Sequence, residues 1–323
     1  MHSAVLCASH TPLMRETAVA PAIGHAVDAG FAALAAKVEA VAPDVIVQFA
    51  PDHFNGFFYD LMPSFCVGAA AEAIGDWGTA VGPLDVPEET AVALAAAVHA
   101  RDIDVALSHR MKVDHGTTQI WEVMFGSATR FPMIPIFVNA IAPPLPSYRR
   151  ARMLGEAVGR HMATTGKRVL FAASGGLSHD PPIPVLATAP ELVRERLIDG
   201  RNPTPQARQE REDRVRAAGR AAAAGEGGIP LNPDWDRQVL ALLAQGDLAA
   251  FDRFDVDEVA RVAGRAANET LAWVAACAAY SVTGGTVAVT EFYEAIPPWI
   301  AGMAMMFGPG EDPLPHRSRE MVR

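Results

Sequence analysis

Four short apolar runs, separated by stretches of helical periodicity, constrain this chain more than any other feature in it. They are Ala4–Ser9, Val45–Ala50, Met133–Val138 and Arg168–Ala173. Each is too short for a typical helix, and their apolar make-up reads as buried strand. Between the first two, Ile23, Val27, Phe31, Leu34, Val38 and Val41 recur at helical spacing until Pro43 stops the segment. Leu154, Val158 and Met162 repeat the pattern ahead of the fourth run. Strands alternating with helices predict an α/β fold, a mostly parallel central sheet flanked by helices. Ligands of such sheets bind outside the carboxyl ends of the strands. Three of the four runs are followed there by a histidine: His10, His53 and His179. The active site is therefore expected at the strand carboxyl ends.

Composition narrows the partners. Half of the 323 residues are hydrophobic and 20% are charged, so a sizeable core can be buried. A net charge of −10 argues against nucleic acid or an anionic membrane as the main partner. Cys7, Cys66 and Cys277 form no CxxC pair, which excludes a disulfide framework or zinc knuckle and fits a reducing cytoplasm. The opening residues Met1–Leu6 lack the basic and apolar regions of a secretory signal. The uncharged stretch 270–290 is Ala-rich and interrupted by Gly284-Gly285, so it reads as a buried helix, a turn and a strand rather than a membrane span. Residues 201–228 shift to charge, with six Arg and three acidic residues between Arg201 and Arg220. A solvated helix on an excursion from the core is expected, with a lid or subunit contact as the alternative. Residues 310–323 read as a loosely ordered tail.

Familiar motifs fail. Residue 161 is His where a P-loop ending in Gly166-Lys167 needs Gly, and Asp180 occupies the second Gly position of a nucleophile elbow. No HExxH occurs, and the Gly-rich stretch near 225 follows no strand.

Of ten histidines, His25, His99 and His161 fall in helical segments, His2 and His316 are near the termini, and His109 has polar neighbours. His10, His53, His115 and His179 remain. On the late helical stripe Val259, Val262, Ala266, Trp273, Cys277 and Tyr280, the apolar pattern also takes in Glu269. A carboxylate facing a core is costly unless it is paired or holds a metal. An ion pair with Arg265 is one solution. Two strand-end histidines with an inward Glu, a facial triad leaving positions open on Fe(II), is the other. Glu291 and Glu294 are rival carboxylates, and Asp114 and Asp180 either orient the histidines or face away.

The runs Leu6–Leu13, Ala50–Phe54, Val113–Gly116 and Ser174–His179, in this order and with a Glu on a late helix, resemble the class III extradiol ring-cleavage dioxygenases. The resemblance extends to about Pro309 and implies a single catalytic domain over 1–309. It implies Fe(II) held by His10, His53 and Glu269, with His115 as proton donor and His179 as proton acceptor. It also implies meta cleavage by O₂ of a catechol with a short acid side chain, 2,3-dihydroxyphenylpropionate or 2,3-dihydroxycinnamate, in a cytoplasmic homo-oligomer. Arg201, Arg208 and Arg211 are arginines available to meet that acid. Two other readings stay open: a Zn²⁺ hydrolase on the same His-His-Glu set, and a non-catalytic binding protein of the same fold.

Overall fold

A computed structural model describes residues 3–285 and 288–309 of the chain. The terminal His2 and His316 and the expected tail, 310–323, lie outside the described residues. The strands are β1 (Ser3–Ala8), β2 (Val45–Ala50), β3 (Phe65–Gly68), β4 (Ala71–Ile74), β5 (Val81–Pro83), β6 (Ala106–Ser108), β7 (Met111–Val113), β8 (Met133–Val138), β9 (Val169–Ser174), β10 (Val289–Ile296) and β11 (Ala301–Gly308). The helices are α1 (Pro21–Val41), α2 (Glu88–His99), α3 (His115–Phe125), α4 (Tyr148–Met162), α5 (Glu191–Asp199), α6 (Pro205–Ala223), α7 (Pro233–Gln245), α8 (Val256–Ala263) and α9 (Thr270–Ser281).

Eight strands form one sheet in the order β10-β11-β1-β9-β2-β8-β3-β6, and β5-β4-β7 form a second, small one. The four apolar runs are its centre: β1, β9, β2 and β8 are parallel neighbours. β3 and β11 join antiparallel on either side. Both faces of the sheet are covered, which is why these strands read as continuous apolar runs. Along β1 the side chains alternate between two cores: Val5 and Cys7 pack with α2, α4, α7 and α9, and Ala4, Leu6 and Ala8 with α1 and α3. No helix among the described residues is long and apolar enough to cross a membrane.

The order β1-β9-β2 puts three carboxyl ends side by side, so residues 10, 179 and 53 leave the sheet at one place. β8 ends at Val138 and is followed by Asn139, whose side chain instead closes a turn through Ala142.

The late helical stripe differs from expectation. α8 ends at Ala263, Gly264 takes φ +97, and a 3-10 turn over Arg265–Glu269 leads into α9. A Cβ on Gly264 would lie 2.2 Å from the His179 carbonyl oxygen, so the break lets the chain pass close to the residue-179 loop. All of Thr270–Tyr280 is buried. The apolar periodicity therefore does not select a face of α9; the turn before it aims Glu269. α9 meets α4 at unusually close range, since Cβ atoms on Gly155 and Gly159 would fall 2.0 and 2.2 Å from the carbonyl oxygens of Ala275 and Ala279.

Candidate active site

His10 follows β1, His53 follows β2, and His115 opens α3 with Asp114 as its N-cap. Their three rings cluster, with centroids 5.4 Å apart for His10–His53, 5.3 Å for His10–His115 and 4.3 Å for His53–His115. One ring nitrogen from each lies within 4.8 Å of the others. Glu269, fully buried, reaches the cluster from the end of the 3-10 turn ahead of α9. Its Oε1 sits 3.3 Å from His53 Nε2 and 3.3 Å from His179 Nε2, and its Oε2 accepts the Gly176 N–H at 2.7 Å. The Gly175-Gly176 pair makes this approach possible. A Cβ on Gly175, which has φ +144, would lie 2.8 Å from Glu269 Cβ, and one on Gly176 would lie 2.5 Å from the His179 ring.

The hydrogen bonds fix which nitrogen does what. His53 Nδ1 lies 3.0 Å from Asp114 Oδ2, His115 Nδ1 lies 2.5 Å from Asp76 Oδ2, and His179 Nδ1 lies 2.9 Å from the Leu177 carbonyl. Carboxylates and carbonyls only accept, so Nδ1 carries a proton in all three and Nε2 is turned the other way, towards Glu269 in His53 and His179. The backbone N–H groups of His53 and His115 donate to the same two carboxylates. Asn55 bridges them, its Nδ2 donating to Asp114 at 2.8 Å and to Asp76 at 3.3 Å. Asp52 shapes this loop by accepting the N–H groups of Asn55, Gly56 and Phe57. On the far side Asp236 clamps Ser178 through its backbone N–H and its hydroxyl.

Burial holds the His10 imidazole down at about 3, against the pull of Glu269, so it is neutral near pH 7. For His53 burial also opposes protonation, yet Asp114 and Glu269 outweigh it and hold the ring above its ordinary range. Burial likewise disfavours charge on His179, and Glu269 overcomes it. The Glu269 carboxyl stays well below the usual range: His179, His53 and His10 more than offset the cost of burying it.

His10 Nδ1 is buried with no hydrogen-bond partner. A buried ring nitrogen without a partner, in a cluster of three imidazoles that Glu269 adjoins through His53, fits a divalent transition metal. The alternative Arg265–Glu269 pair does not form. Arg265 binds Asp180 at 2.9 Å and the Ile183 carbonyl at 2.7 Å, which also removes Asp180 as the orienter of His179. Glu291 pairs with Lys37 at 2.5 Å on the edge strand, and Glu294 is exposed there. Two functional-looking residues had no place in the sequence reading, Asp76 and Asn55. Asp76 sits in the turn Gly75-Asp76-Trp77-Gly78, where Gly75, Trp77 and Gly78 all have positive φ. An acidic residue in so tight a glycine turn was the available signal.

A cavity of about 420 Å³ opens beside His10, His53, His115 and His179. Its other wall comes from α5 and α6, so the charged excursion is not merely a solvated helix: Ala207, Arg211, Arg214 and Val215 of α6 line the space.

Residues 4–304 match the family model described as the catalytic LigB subunit of aromatic ring-opening dioxygenase. The chain belongs to the LigB family. Its relatives include proteins named 2,3-dihydroxyphenylpropionate/2,3-dihydroxicinnamic acid 1,2-dioxygenase. The one from Burkholderia vietnamiensis strain G4 is 50% identical over 301 residues, 93% of this chain and 95% of the relative. Those from Cupriavidus pinatubonensis strain JMP 134 and Rhodococcus jostii strain RHA1 are 52% and 49% identical, over 93% and 94% of this chain and 96% and 98% of the relatives. LigB membership makes the chain a ring-opening dioxygenase that uses a metal, an aromatic substrate and O₂. It sets aside the hydrolase and the non-catalytic binding protein.

Proposed function

We propose that this LigB enzyme performs extradiol cleavage of a catechol carrying a short acid side chain, 2,3-dihydroxyphenylpropionate or 2,3-dihydroxycinnamate, with Fe(II) held by His10, His53 and Glu269. The observation that carries the reading is Glu269, a fully buried carboxylate 3.3 Å from His53 Nε2, beside a ring cluster in which His10 keeps an unpartnered Nδ1. His115 also has a nitrogen within reach of the cluster, but its ring stacks on His53 at an interplanar angle of 21°. Stacked rings direct their in-plane lone pairs side by side rather than towards a common point. His10, at 90° to His53, has no such restriction. This supports His115 as an acid and Glu269 as the third ligand. Iron(II) held by this set would supply the one-electron chemistry with O₂ that side chains lack.

The protein residues divide the proton work. His179 presents Nε2 to the cavity with Nδ1 tied to Leu177, so Nε2 accepts a proton as the diol ionises. Glu269 supports its proton affinity. A cation held by Glu269 would weaken that pull and leave His179 Nε2 able to accept. In its imidazolium form His115, anchored at Nδ1 and at its backbone N–H by Asp76, would give the proton on Nε2 to the oxygen that gains charge as the ring opens. Pro181, Ile183 and Trp299 line the cavity and limit water around the ring.

The family match supports reading 1–309 as one catalytic domain. The buried cysteines form no disulfide among the described residues, although Cys7 Sγ and Cys277 Sγ lie 3.9 Å apart, and so fit a cytoplasmic setting. A homo-oligomer completes the proposal, to be checked by light scattering. The deciding experiment is anaerobic reconstitution with Fe(II), then air and 2,3-dihydroxyphenylpropionate, watching for the visible band of a ring-opened product. No band, or a band that forms without O₂, overturns the reading.

A further inference from the structure

A catechol with an acid side chain brings a carboxylate into a partly dry cavity, and that charge is costly to bury unless a cation meets it. Four arginines line the space: Arg196, Arg201, Arg211 and Arg214. They are not equivalent. Arg201 is already committed to Asp60 and Asp199. Arg196 and Arg214 are exposed, where water screens them. Arg211 is half-buried and held by neutral acceptors, Nη1 donating to the Phe54 carbonyl at 3.3 Å and Nη2 to Asn55 Oδ1 at 2.6 Å. No carboxylate pairs with it among the described residues.

This arrangement orients a guanidinium without neutralising it. Phe54 and Asn55 directly follow His53, so the charge is anchored to the loop that carries the histidine. The Asn55 amide cannot turn over, because its NH₂ is taken by Asp114 and Asp76, and its oxygen must face Arg211. Two of five guanidinium N–H donors are used, and three remain for an anion.

We propose that Arg211 is the residue that binds the side-chain carboxylate of the substrate, with Arg214, one turn further along α6, at the rim. The inference rests on the proposed reading that the substrate is an acid-bearing catechol. Its role is specificity: Arg211 selects the acid over a neutral catechol of the same size.

The test compares 2,3-dihydroxyphenylpropionate with 3-propylcatechol on the iron-loaded enzyme, wild type, Arg211→Gln and Arg211→Lys. The wild type should favour the acid. In Arg211→Gln the ratio of kcat/KM for acid over neutral substrate should fall roughly 10- to 100-fold, chiefly through KM, as expected for a lost charge-assisted hydrogen-bond pair. Arg211→Lys, which keeps the charge but not the fork, should recover part of it and stands in if the Gln variant does not fold. Binding of 3-phenylpropionate, followed by quenching of the cavity tryptophans Trp77 and Trp299, should weaken by a similar factor without any turnover. Equal losses on both substrates would make Arg211 a mere support for Asn55 and overturn the proposal. So would an unchanged ratio, or a wild type indifferent to the acid. A wild type that cleaves neither catechol overturns instead the function on which it rests.

Discussion

Gly176 donates its backbone N–H to Glu269 Oε2 at 2.7 Å, which leaves Oε1 alone to face the imidazoles. The strand-end loop and the late 3-10 turn thus hold one carboxylate between them. A methyl group on either glycine of this loop has no free space. Gly175→Ala should cost about 1–3 kcal/mol in stability and lower metal retention together, because the added Cβ presses on Glu269 and φ +144 disfavours a side chain. Urea unfolding with iron analysis checks both; an unchanged midpoint with full iron would refute the crowding.

His10→Ala, His53→Ala and Glu269→Ala should each lose tightly bound iron and ring cleavage together. Glu291→Gln and Glu294→Gln, on the exposed edge strand, should keep both. Iron content of the purified variants decides. Full occupancy in Glu269→Ala would remove that residue from the metal site.

His115→Gln and His179→Gln should retain iron while turnover falls by roughly 10²–10⁴-fold, the range of a lost general acid or base. Raising the pH should partly relieve the His179 variant, since less help is needed to ionise the diol. It should not relieve the His115 variant, whose proton is needed later. A pH–rate profile beside iron analysis separates the two, and iron loss in either variant would move that histidine into the metal's ligand set.

Asp76 and Asp114 make a matched pair of tests. Asp114→Asn should weaken iron binding roughly 10- to 100-fold, because Asp114 fixes the tautomer of His53. Asp76→Asn should spare iron and depress turnover instead, because Asp76 holds His115. The same loss of iron in both variants would contradict the division of labour.

Away from the site, the hydrogen bonds that Arg168 donates hold the Asp44 carboxyl down at about 2, below its ordinary 3.8. The folded value lies below the unfolded one, so the pair's contribution is complete above about pH 4 and disappears as the pH falls towards 2. The stability gap between wild type and Asp44→Asn should close over that window and shrink with added salt. Denaturant titrations at pH 6 and pH 2.5 read it; a gap that widens on acidification would be the wrong sign.

The central architecture was legible because burial on both faces leaves an unmixed apolar signature. β2 and β8 have the bounds that their apolar runs suggested, and α1 ends where Pro43 approaches. The short strands β3 to β7 left no such trace, being three or four residues long. The convergence of His10, His53 and His179 followed from topology, since residues at the same end of adjacent parallel strands must meet. Glu269 does lie beside the histidines, but the stripe pointed to it for an incomplete reason. Its helical stripe is broken at Gly264, and a helix buried all round carries no facial information. Asp76 and Asn55 were invisible because their roles lie in contacts between loops far apart in sequence. Arg211 was one of several equal arginines until its neutral partners distinguished it.

The close seat of α9 on Gly155 and Gly159 has a consequence for how this catalyst can drift. The carboxylate at the head of α9 inherits its coordinates from two residues that carry no chemistry and lie more than a hundred positions upstream. A methyl group at 155 or 159 would have to lift α9 off α4, and Glu269 would move with it. Among descendants of this chain, then, ancestry at those two inert positions and retention of the metal should travel together.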